Sequence, residues 1–302
     1  RIAISKGLKL SEYGLFKKDN PFTVKDECQL YKKLGLSYIE PELRENTGEI
    51  EASMDKRLPN IISYDEIKGD LHMHTKYSDG VNTMEEMVLA AKELGYQYIN
   101  ISDHARLPVA NGMNDRQVLK YCEFINRLNK KNYGIEIFKG SEVDITKDGE
   151  LDLNKSTLKN LDIVIGSVHS YFKMNKEQIT KRILKVMDNE YLKILGHPTG
   201  RLIGRREAYE LDFVRIFEKA KKNGIKIEIN SFPERLDLKD TYIKLARNFK
   251  VDFAINTDSH STDHLKFIKL GIGQARRGWL EGKHVVNTLP LKDFKKRMKI
   301  IK

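Results

Sequence analysis

The chain has 302 residues, of which 40% are hydrophobic and 32% are charged, so it is long enough for one barrel-sized globular domain with a small appendage. Its 54 Lys and Arg residues exceed its 43 Asp and Glu residues, and the net charge of +11 indicates either a solvated lysine-rich surface or a polyanionic partner such as nucleic acid. No apolar run reaches transmembrane length, and two cysteines argue against a disulfide framework or a thiolate metal site. We therefore expect a cytoplasmic protein with no membrane partner.

The first 60 residues differ in composition from the remainder and contain a helix-like stretch at 24–34. Asp26 and Glu27, near its start, suit the positive end of a helix. Residues 44–60 are polar, and we expect an extended linker there. The predicted organisation is a small N-terminal appendage over 1–60 and a main domain over 61–302.

From residue 69 onward, strand-like and helix-like segments alternate, which predicts βα units and a parallel sheet. The predicted strands are 69–74, 97–103, 135–142, 162–169, 192–197, 225–230 and 251–258. The predicted helices are 83–94, 114–132, 176–188, 210–222 and 239–248. Seven strands favour an α/β fold with a distorted seven-stranded (β/α)7 TIM-like barrel. An open doubly wound sheet is the alternative, although no Gly-rich dinucleotide fingerprint follows the first strand.

Histidines and carboxylates recur where the predicted strands end. These residues are His72, His74, Asp79, His104, Glu142, His169, His197, Asp258 and His260. The ends of parallel barrel strands meet at one rim, and these side chains bind Zn²⁺, Mn²⁺ and Fe²⁺, so the pattern predicts a multinuclear metal site. A buried, hydrogen-bonded histidine pair with a structural role would explain His72 and His74 if they stood alone. It would not explain why six strand ends carry residues of metal-binding types. We interpret His264 and His284, which lie outside the pattern, as surface or capping histidines.

Several motifs resemble those of the PHP (polymerase and histidinol phosphatase) superfamily. The run at 69–80 resembles its first motif, and the later motifs are at 102–104, 140–142, 167–170, 196–198 and 256–260. Three further stretches, at 196–206, 228–237 and 273–279, resemble the C-terminal PHP domain of bacterial and archaeal family X DNA polymerases. Residues 7–16 and 34–44 look like the end of that polymerase's palm and its thumb.

The resemblance implies a site for three divalent ions, Zn, Mn or Fe. In that family pattern one ion is held by His72, His74, Glu142 and Asp258, which are also the expected catalytic set. Glu142 also bridges to a second ion held by His169 and His197, and the third ion is held by Asp79, His104 and His260. Independently of the resemblance, the guanidinium groups of five arginines could bind phosphate oxygens. These arginines are Arg201, Arg205, Arg206, Arg276 and Arg277.

The resemblance and the positive charge together predict a metal-dependent phosphoesterase that acts on single-stranded DNA or on DNA 3′ ends. The expected activity is that of a 3′–5′ exonuclease, with 3′-phosphatase or abasic-site cleavage as variants of it. No polymerase activity is expected from this chain alone, because the palm segment with the family's catalytic aspartates is not in the sequence. The alternatives are a small-molecule phosphatase of the histidinol-phosphate type and a non-catalytic, metal-stabilised module that supports a polymerase.

Overall fold

The structure is a computed structural model that describes residues 1–18 and 20–300. The chain forms two compact units, Arg1–Asn60 and Ile61–Lys302. Within the described residues, no helix combines the length and the apolar character that crossing a membrane requires.

The first unit contains a small antiparallel sheet and three short helices. Its elements are α1 (Ile2–Ser5), β1 (Leu8–Ser11), β2 (Gly14–Lys17), β3 (Asn20–Pro21), α2 (Glu27–Lys33) and α3 (Glu49–Met54). Ala3, Leu15 and Leu34 form its buried core. The carboxylate of Asp26 accepts a hydrogen bond from the Gln29 N–H at 2.7 Å, which caps the N-terminus of α2. The helix predicted in this region is therefore present and shorter than expected.

The linker predicted over 44–60 is wrong in its middle, where α3 forms. The Glu49 carboxylate accepts hydrogen bonds from the backbone N–H groups of Asn46 and Thr47, at 2.9 Å and 2.7 Å. The Ser53 hydroxyl donates to the Ser37 carbonyl at 2.6 Å. These polar side chains are used inside the unit, so a polar composition did not mean an extended, solvated segment.

The second unit alternates strands and helices. Its strands are β4 (Gly69–Asp70), β5 (Tyr98–Ile101), β6 (His104–Ala105), β7 (Glu136–Asp144), β8 (Ile163–Ser167), β9 (Leu192–Leu195), β10 (Lys226–Asn230) and β11 (Phe253–Asn256). Its helices are α4 (Met84–Glu93), α5 (Asp115–Lys130), α6 (Lys155–Leu158), α7 (Lys176–Val186), α8 (Phe213–Asn223), α9 (Asp240–Asn248), α10 (Ile268–Arg277) and α11 (Leu291–Met298). Every predicted strand segment overlaps one of these strands, and β7 continues two residues past its predicted end.

The strands form a nearly closed parallel barrel. Their order is β11-β10-β9-β8-β7-β5-β4, and the short β6 pairs with β7. The two edge strands approach each other, since the Leu71 N–H donates to the Asn256 side-chain oxygen at 3.2 Å and Met73 pairs with Ser259 beyond the strand ends. The predicted seven-stranded barrel is thus confirmed, with β6 as a small addition.

The core has two layers because successive residues of a strand point to opposite faces. Val164 packs with the outer helices, whereas Ile163 and Ile165 belong to a separate buried cluster. That second cluster includes Phe294 of α11, whose ring stacks on Tyr98 at 4.2 Å between centroids. Apolar side chains therefore fill this part of the barrel, and the polar ligand types lie at the carboxyl ends of the strands.

Candidate metal centre

The predicted ligands come together at the carboxyl ends of the barrel strands. Glu142 lies on β7 and His104 on β6, and the other predicted ligands follow β4, β8, β9 or β11. His72, His74 and Glu142 are at most 1% exposed, and Asp258 is 4% exposed. Short strands that end in polar loops thus place charged and imidazole groups inside the barrel mouth, away from water.

His72, His74, Glu142 and Asp258 form the most buried cluster of donor atoms. His74 Nε2 lies 3.0 Å from Asp258 Oδ1. His72 Nε2 lies 3.3 Å from Glu142 Oε2 and 3.5 Å from Asp258 Oδ1. These four residues are the set predicted to hold the first ion.

Asp79, His104 and His260, the set predicted for the third ion, lie together with His74. Asp79 Oδ2 is 3.4 Å from His260 Nε2 and 3.7 Å from His104 Nε2. The His74 ring stacks against those of His104 and His260, with centroids 4.4 Å and 4.3 Å apart. His74 directs Nδ1 toward Asp79 at 3.8 Å, while its Nε2 faces Asp258 in the set predicted for the first ion. The family pattern did not imply this sharing of one imidazole.

Glu142 is the centre of the whole arrangement. Its Oε1 lies 2.8 Å from His197 Nε2 and 3.3 Å from His169 Nε2, and its Oε2 lies 3.0 Å from His104 Nδ1. The donor atoms of His104, Glu142 and His169 are close enough together to hold an ion. The set predicted for the second ion contained His197 and not His104. The structure places His197 against Glu142, with His104 as a further neighbour.

The residues fit a metal site because several buried imidazole nitrogens have no hydrogen-bond partner among the described residues. Those that face the other donor atoms are Nε2 of His72 and Nδ1 of His74 and His104. A buried polar atom without a partner is costly and calls for a bound group. Imidazole and carboxylate donors suit Zn²⁺, Mn²⁺ and Fe²⁺, so divalent cations would satisfy these atoms.

Burial and neighbouring charges keep Glu142 and two of the imidazoles in the states that bind metal, whereas the carboxylates beside His169 and His260 raise the pKa of each ring to about 9 against the effect of burial. Burial lowers the pKa of His74 to about 3 and that of His197 to about 4, so both rings are neutral at pH 7. Burial alone would raise the pKa of Glu142, but neighbouring imidazoles, His72 first among them, hold it well below its usual range. Glu142 is therefore an ionised carboxylate surrounded by imidazole rings.

Two of the ligand types sit on strained backbone. His197 has a φ of 21° and Asp258 a φ of 55°, in the left-handed region that residues other than glycine rarely adopt. Both follow a strand directly, where the chain must turn sharply for the side chain to point inward. The loop that carries Asp79 is fixed differently, because the buried Asp103 carboxylate accepts hydrogen bonds from Thr75 and Ser78, each at 2.7 Å.

The arginines predicted to bind phosphate differ in what they contact. Arg201 donates to the backbone carbonyls of Arg235, at 2.7 Å, and of Leu236. Arg206 donates to the Gly200 carbonyl at 2.7 Å. Both guanidinium groups thus brace the loops after β9 and β10.

The other three arginines separate into an exposed one and a pair on α10. Arg205 is 69% exposed and forms an ion pair with Glu234 at 3.1 Å. Arg276 is buried and donates to the Ile62 carbonyl at 2.8 Å. Arg277 pairs with Asp240 at 3.2 Å. Of these three, Arg205 is the most available to a ligand.

The sequence reasoning missed Arg235, which contacts a predicted ligand directly. Its Nε donates to Asp258 Oδ2 at 3.2 Å, and its buried Nη1 has no hydrogen-bond partner within residues 1–18 and 20–300. Arg235 lies in the loop after β10, the main strand that supplies no predicted ligand, so the ligand pattern does not indicate a functional residue in that loop. His264, which we interpreted as a surface or capping histidine, accepts the His260 N–H at its Nδ1, at 3.2 Å.

The chain belongs to the PHP domain family, because the model of that family matches residues 70–232. The DNA polymerase beta thumb model matches residues 1–45. Both resemblances expected from the motifs are thereby confirmed. The chain is 39% identical over 302 residues to the DNA polymerase/3′-5′ exonuclease PolX of Bacillus subtilis, covering 99% of this chain and 53% of that protein. It therefore spans about half the length of that relative.

Other relatives match a smaller share of the chain. A probable phosphatase of Clostridium novyi is 31% identical over 206 residues, which cover 63% of this chain and 78% of that protein. The histidinol phosphate phosphatase of Lactococcus lactis, solved with zinc, L-histidinol and phosphate, superposes with a TM-score of 0.51 at 18% identity. The superposition covers 69% of this chain and 93% of that one, and shows a shared fold.

Proposed function

We propose that the chain is a metal-dependent phosphoesterase that removes nucleotides from DNA 3′ ends as a 3′–5′ exonuclease. The observation that carries this proposal is the set of converging ligand types around Glu142 in a PHP barrel. The DNA polymerase beta thumb match at residues 1–45 and the similarity to PolX favour DNA as the substrate. The net charge of +11 agrees with a polyanionic partner. We place this activity in the cytoplasm, with no membrane partner.

We further propose that three divalent ions, Zn, Mn or Fe, are held by the nine predicted ligands. Bound ions would lower the pKa of water and neutralise charge on a phosphoryl group. Glu142 supports this chemistry as a carboxylate shared between the clusters, and His72, His74 and Asp258 complete the catalytic set. The unpartnered Nη1 of Arg235 is a donor for a phosphate oxygen at the same place.

Among the predicted phosphate contacts, we assign the direct role outside the barrel to Arg205. Its guanidinium is 69% exposed, and releasing Glu234 would free it for a DNA phosphate. Arg201 and Arg206 then act through the loop shape that they maintain. Arg276 and Arg277 act through the structure around α10.

The test is digestion of a 5′-labelled single-stranded oligonucleotide by the protein supplied with Mn²⁺. We expect products that shorten stepwise from the 3′ end, and no cleavage by Glu142→Ala. Histidinol phosphate and bis-p-nitrophenyl phosphate are tested in parallel. Hydrolysis of histidinol phosphate without cleavage of the oligonucleotide would support the small-molecule phosphatase instead. Metal binding without hydrolysis of any substrate would indicate the non-catalytic module.

A further inference from the structure

Glu228 lies on β10, the main strand that supplies no predicted ligand, and its side chain is completely buried. Its Oε1 lies 2.8 Å from His72 Nδ1 and 2.8 Å from Asn256 Nδ2. Its Oε2 accepts the His197 backbone N–H at 2.7 Å and lies 3.2 Å from Asn230 Nδ2. One carboxylate therefore contacts residues of four different strand ends, two of which are predicted ligands.

The directions of these hydrogen bonds follow from the neighbouring backbone. Asn256 Oδ1 accepts the Leu71 N–H at 3.2 Å, and Asn230 Oδ1 accepts the Phe232 N–H at 3.0 Å. A backbone N–H can only donate, so each amide oxygen faces the backbone and each NH₂ group faces Glu228. Together with the His197 N–H, three partners of Glu228 are fixed donors. Glu228 is therefore an acceptor at both of its oxygens.

His72 is the fourth partner of Glu228, and its Nδ1 must carry a proton in order to donate to Oε1. A neutral imidazole that donates from Nδ1 keeps an unprotonated Nε2. His72 Nε2 is the buried, unpartnered atom that faces Glu142 and Asp258, at 3.3 Å and 3.5 Å. Only an unprotonated ring nitrogen can bind a metal ion, so the partner of Nδ1 decides whether His72 is a competent ligand.

We propose that Glu228 is a positioning residue that fixes His72 as the Nδ1–H tautomer and holds the backbone of His197. Through these two contacts it positions two ligands that face different oxygens of Glu142. His197 needs such support, because its φ of 21° is unfavourable for a residue with a side chain. The proposal rests on the metal centre proposed above and adds a residue outside the nine ligands.

The first test is Glu228→Gln. Glutamine offers one oxygen and one NH₂ group. In one orientation the NH₂ group faces the donors of His197 and Asn230; in the other it faces Asn256 and His72, and His72 could accept from it only by moving its proton to Nε2. We expect the affinity for Zn²⁺, measured by competition with a chromophoric chelator, to fall by about 10–100-fold. The control is Glu49→Gln, which removes a buried carboxylate of the N-terminal unit that also accepts two backbone N–H groups. Its Zn²⁺ affinity should equal that of the wild type.

The second test needs no variant of Glu228 and decides the matter if Glu228→Gln fails to fold. Long-range ¹H–¹⁵N spectra of histidine-labelled, Zn²⁺-loaded wild type should show His72 protonated at Nδ1 and metal-bound at Nε2, with His72→Gln giving the assignment. A proton on Nε2, or a folded Glu228→Gln that binds Zn²⁺ within twofold of the wild type, would overturn the role of Glu228 while leaving the proposed hydrolase intact. A wild type that binds no metal would overturn both proposals.

Discussion

Arg182 connects the loops that carry two of the ligand types, and replacing it should damage both stability and the metal centre. It lies on α7, is 3% exposed, and directs its guanidinium at backbone carbonyls. Nε donates to Thr146 and Nη1 to Ser170, each at 2.8 Å, and Nη2 donates to Ile145. Thr146 follows the strand of Glu142, and Ser170 is the neighbour of His169. One side chain therefore holds the end of β7 against the loop after β8.

The expected loss for Arg182→Met can be worked from these contacts. A hydrogen bond from a charged donor contributes about 1.5–3 kcal/mol, and each buried carbonyl left without its donor costs about 1–3 kcal/mol. The three bonds share one guanidinium and are not additive, so we expect the free energy of unfolding to fall by about 3–5 kcal/mol. The melting temperature should fall by about 2–4 °C for each kcal/mol. Zn²⁺ affinity should weaken as well, because the segment that carries His169 loses its anchor.

The assay is chemical unfolding followed by circular dichroism, with the chelator competition used for Zn²⁺. Arg215→Met is the matched control, since Arg215 is 41% exposed and pairs with Glu177 at 3.0 Å. An exposed pair of this kind contributes at most about 1 kcal/mol. The reasoning would be refuted if Arg182→Met lowered the free energy of unfolding no more than the control does. It would also be refuted if the expected fall occurred while the Zn²⁺ affinity stayed unchanged.

Three further predictions concern the ligands, a buried lysine and the DNA contact. Glu142→Ala should abolish phosphodiester hydrolysis and His284→Ala should leave it near normal; equal effects in a steady-state assay would contradict the site assignment. Burial lowers the pKa of Lys226 from 10.5 to about 8, so the folded state disfavours its protonation. At pH 7 the free energy of unfolding of Lys226→Met, measured with denaturant, should therefore exceed that of the wild type by about 3 kcal/mol. This advantage should vanish as the pH rises from 8 through 10.5, and a pH-independent difference would argue against it. Arg205→Ala should make the slope of log affinity for single-stranded DNA against log salt concentration shallower by about 0.7, without changing the metal content. An unchanged slope would show that Arg205 does not contact a DNA phosphate.

Local signals in the sequence were sufficient for most of the barrel. Thr83 and Glu86 form a reciprocal capping box at the start of α4, and Asn114 and Gln117 do the same for α5. Such boundaries depend on residues three positions apart, so they can be read without knowing the fold. The apolar runs that follow each helix end at the barrel mouth, which is why the ligand pattern predicted that these side chains lie together.

Features that depend on distant contacts were not predicted. Helix α10 contains Gly271 and Gly273, which weaken a helical pattern. The structure gives the reason for the first of them, since a Cβ at Gly271 would lie 2.0 Å from Ser231 Oγ and 2.8 Å from Ile255 Cγ2. The helix approaches the barrel so closely at this point that only glycine fits, and nothing near Gly271 in the chain announces that approach.

The same limit applies to the arginines and to Glu228. Arg201 and Arg235 both lie near the barrel mouth, yet one donates to backbone carbonyls and the other to Asp258. Their partners belong to other loops, so their roles cannot be assigned from spacing. The ligand pattern does not include Glu228, because this residue lies within a strand and not after its end. The role of a charged residue at such a position can be assigned only when its neighbours in the fold are known.

The left-handed backbone at His197 sets the stability of the fold against the needs of the site. Such a conformation costs a residue other than glycine, asparagine or aspartate about 1–2 kcal/mol, and glycine at this position would relieve it. Selection for thermal stability alone would therefore favour glycine there, and the replacement would delete a ligand type. A homologous barrel that has abandoned hydrolysis should drift toward glycine at this position before it changes its apolar core. The barrel mouth is thus a place where a stabilised variant would be a poorer enzyme.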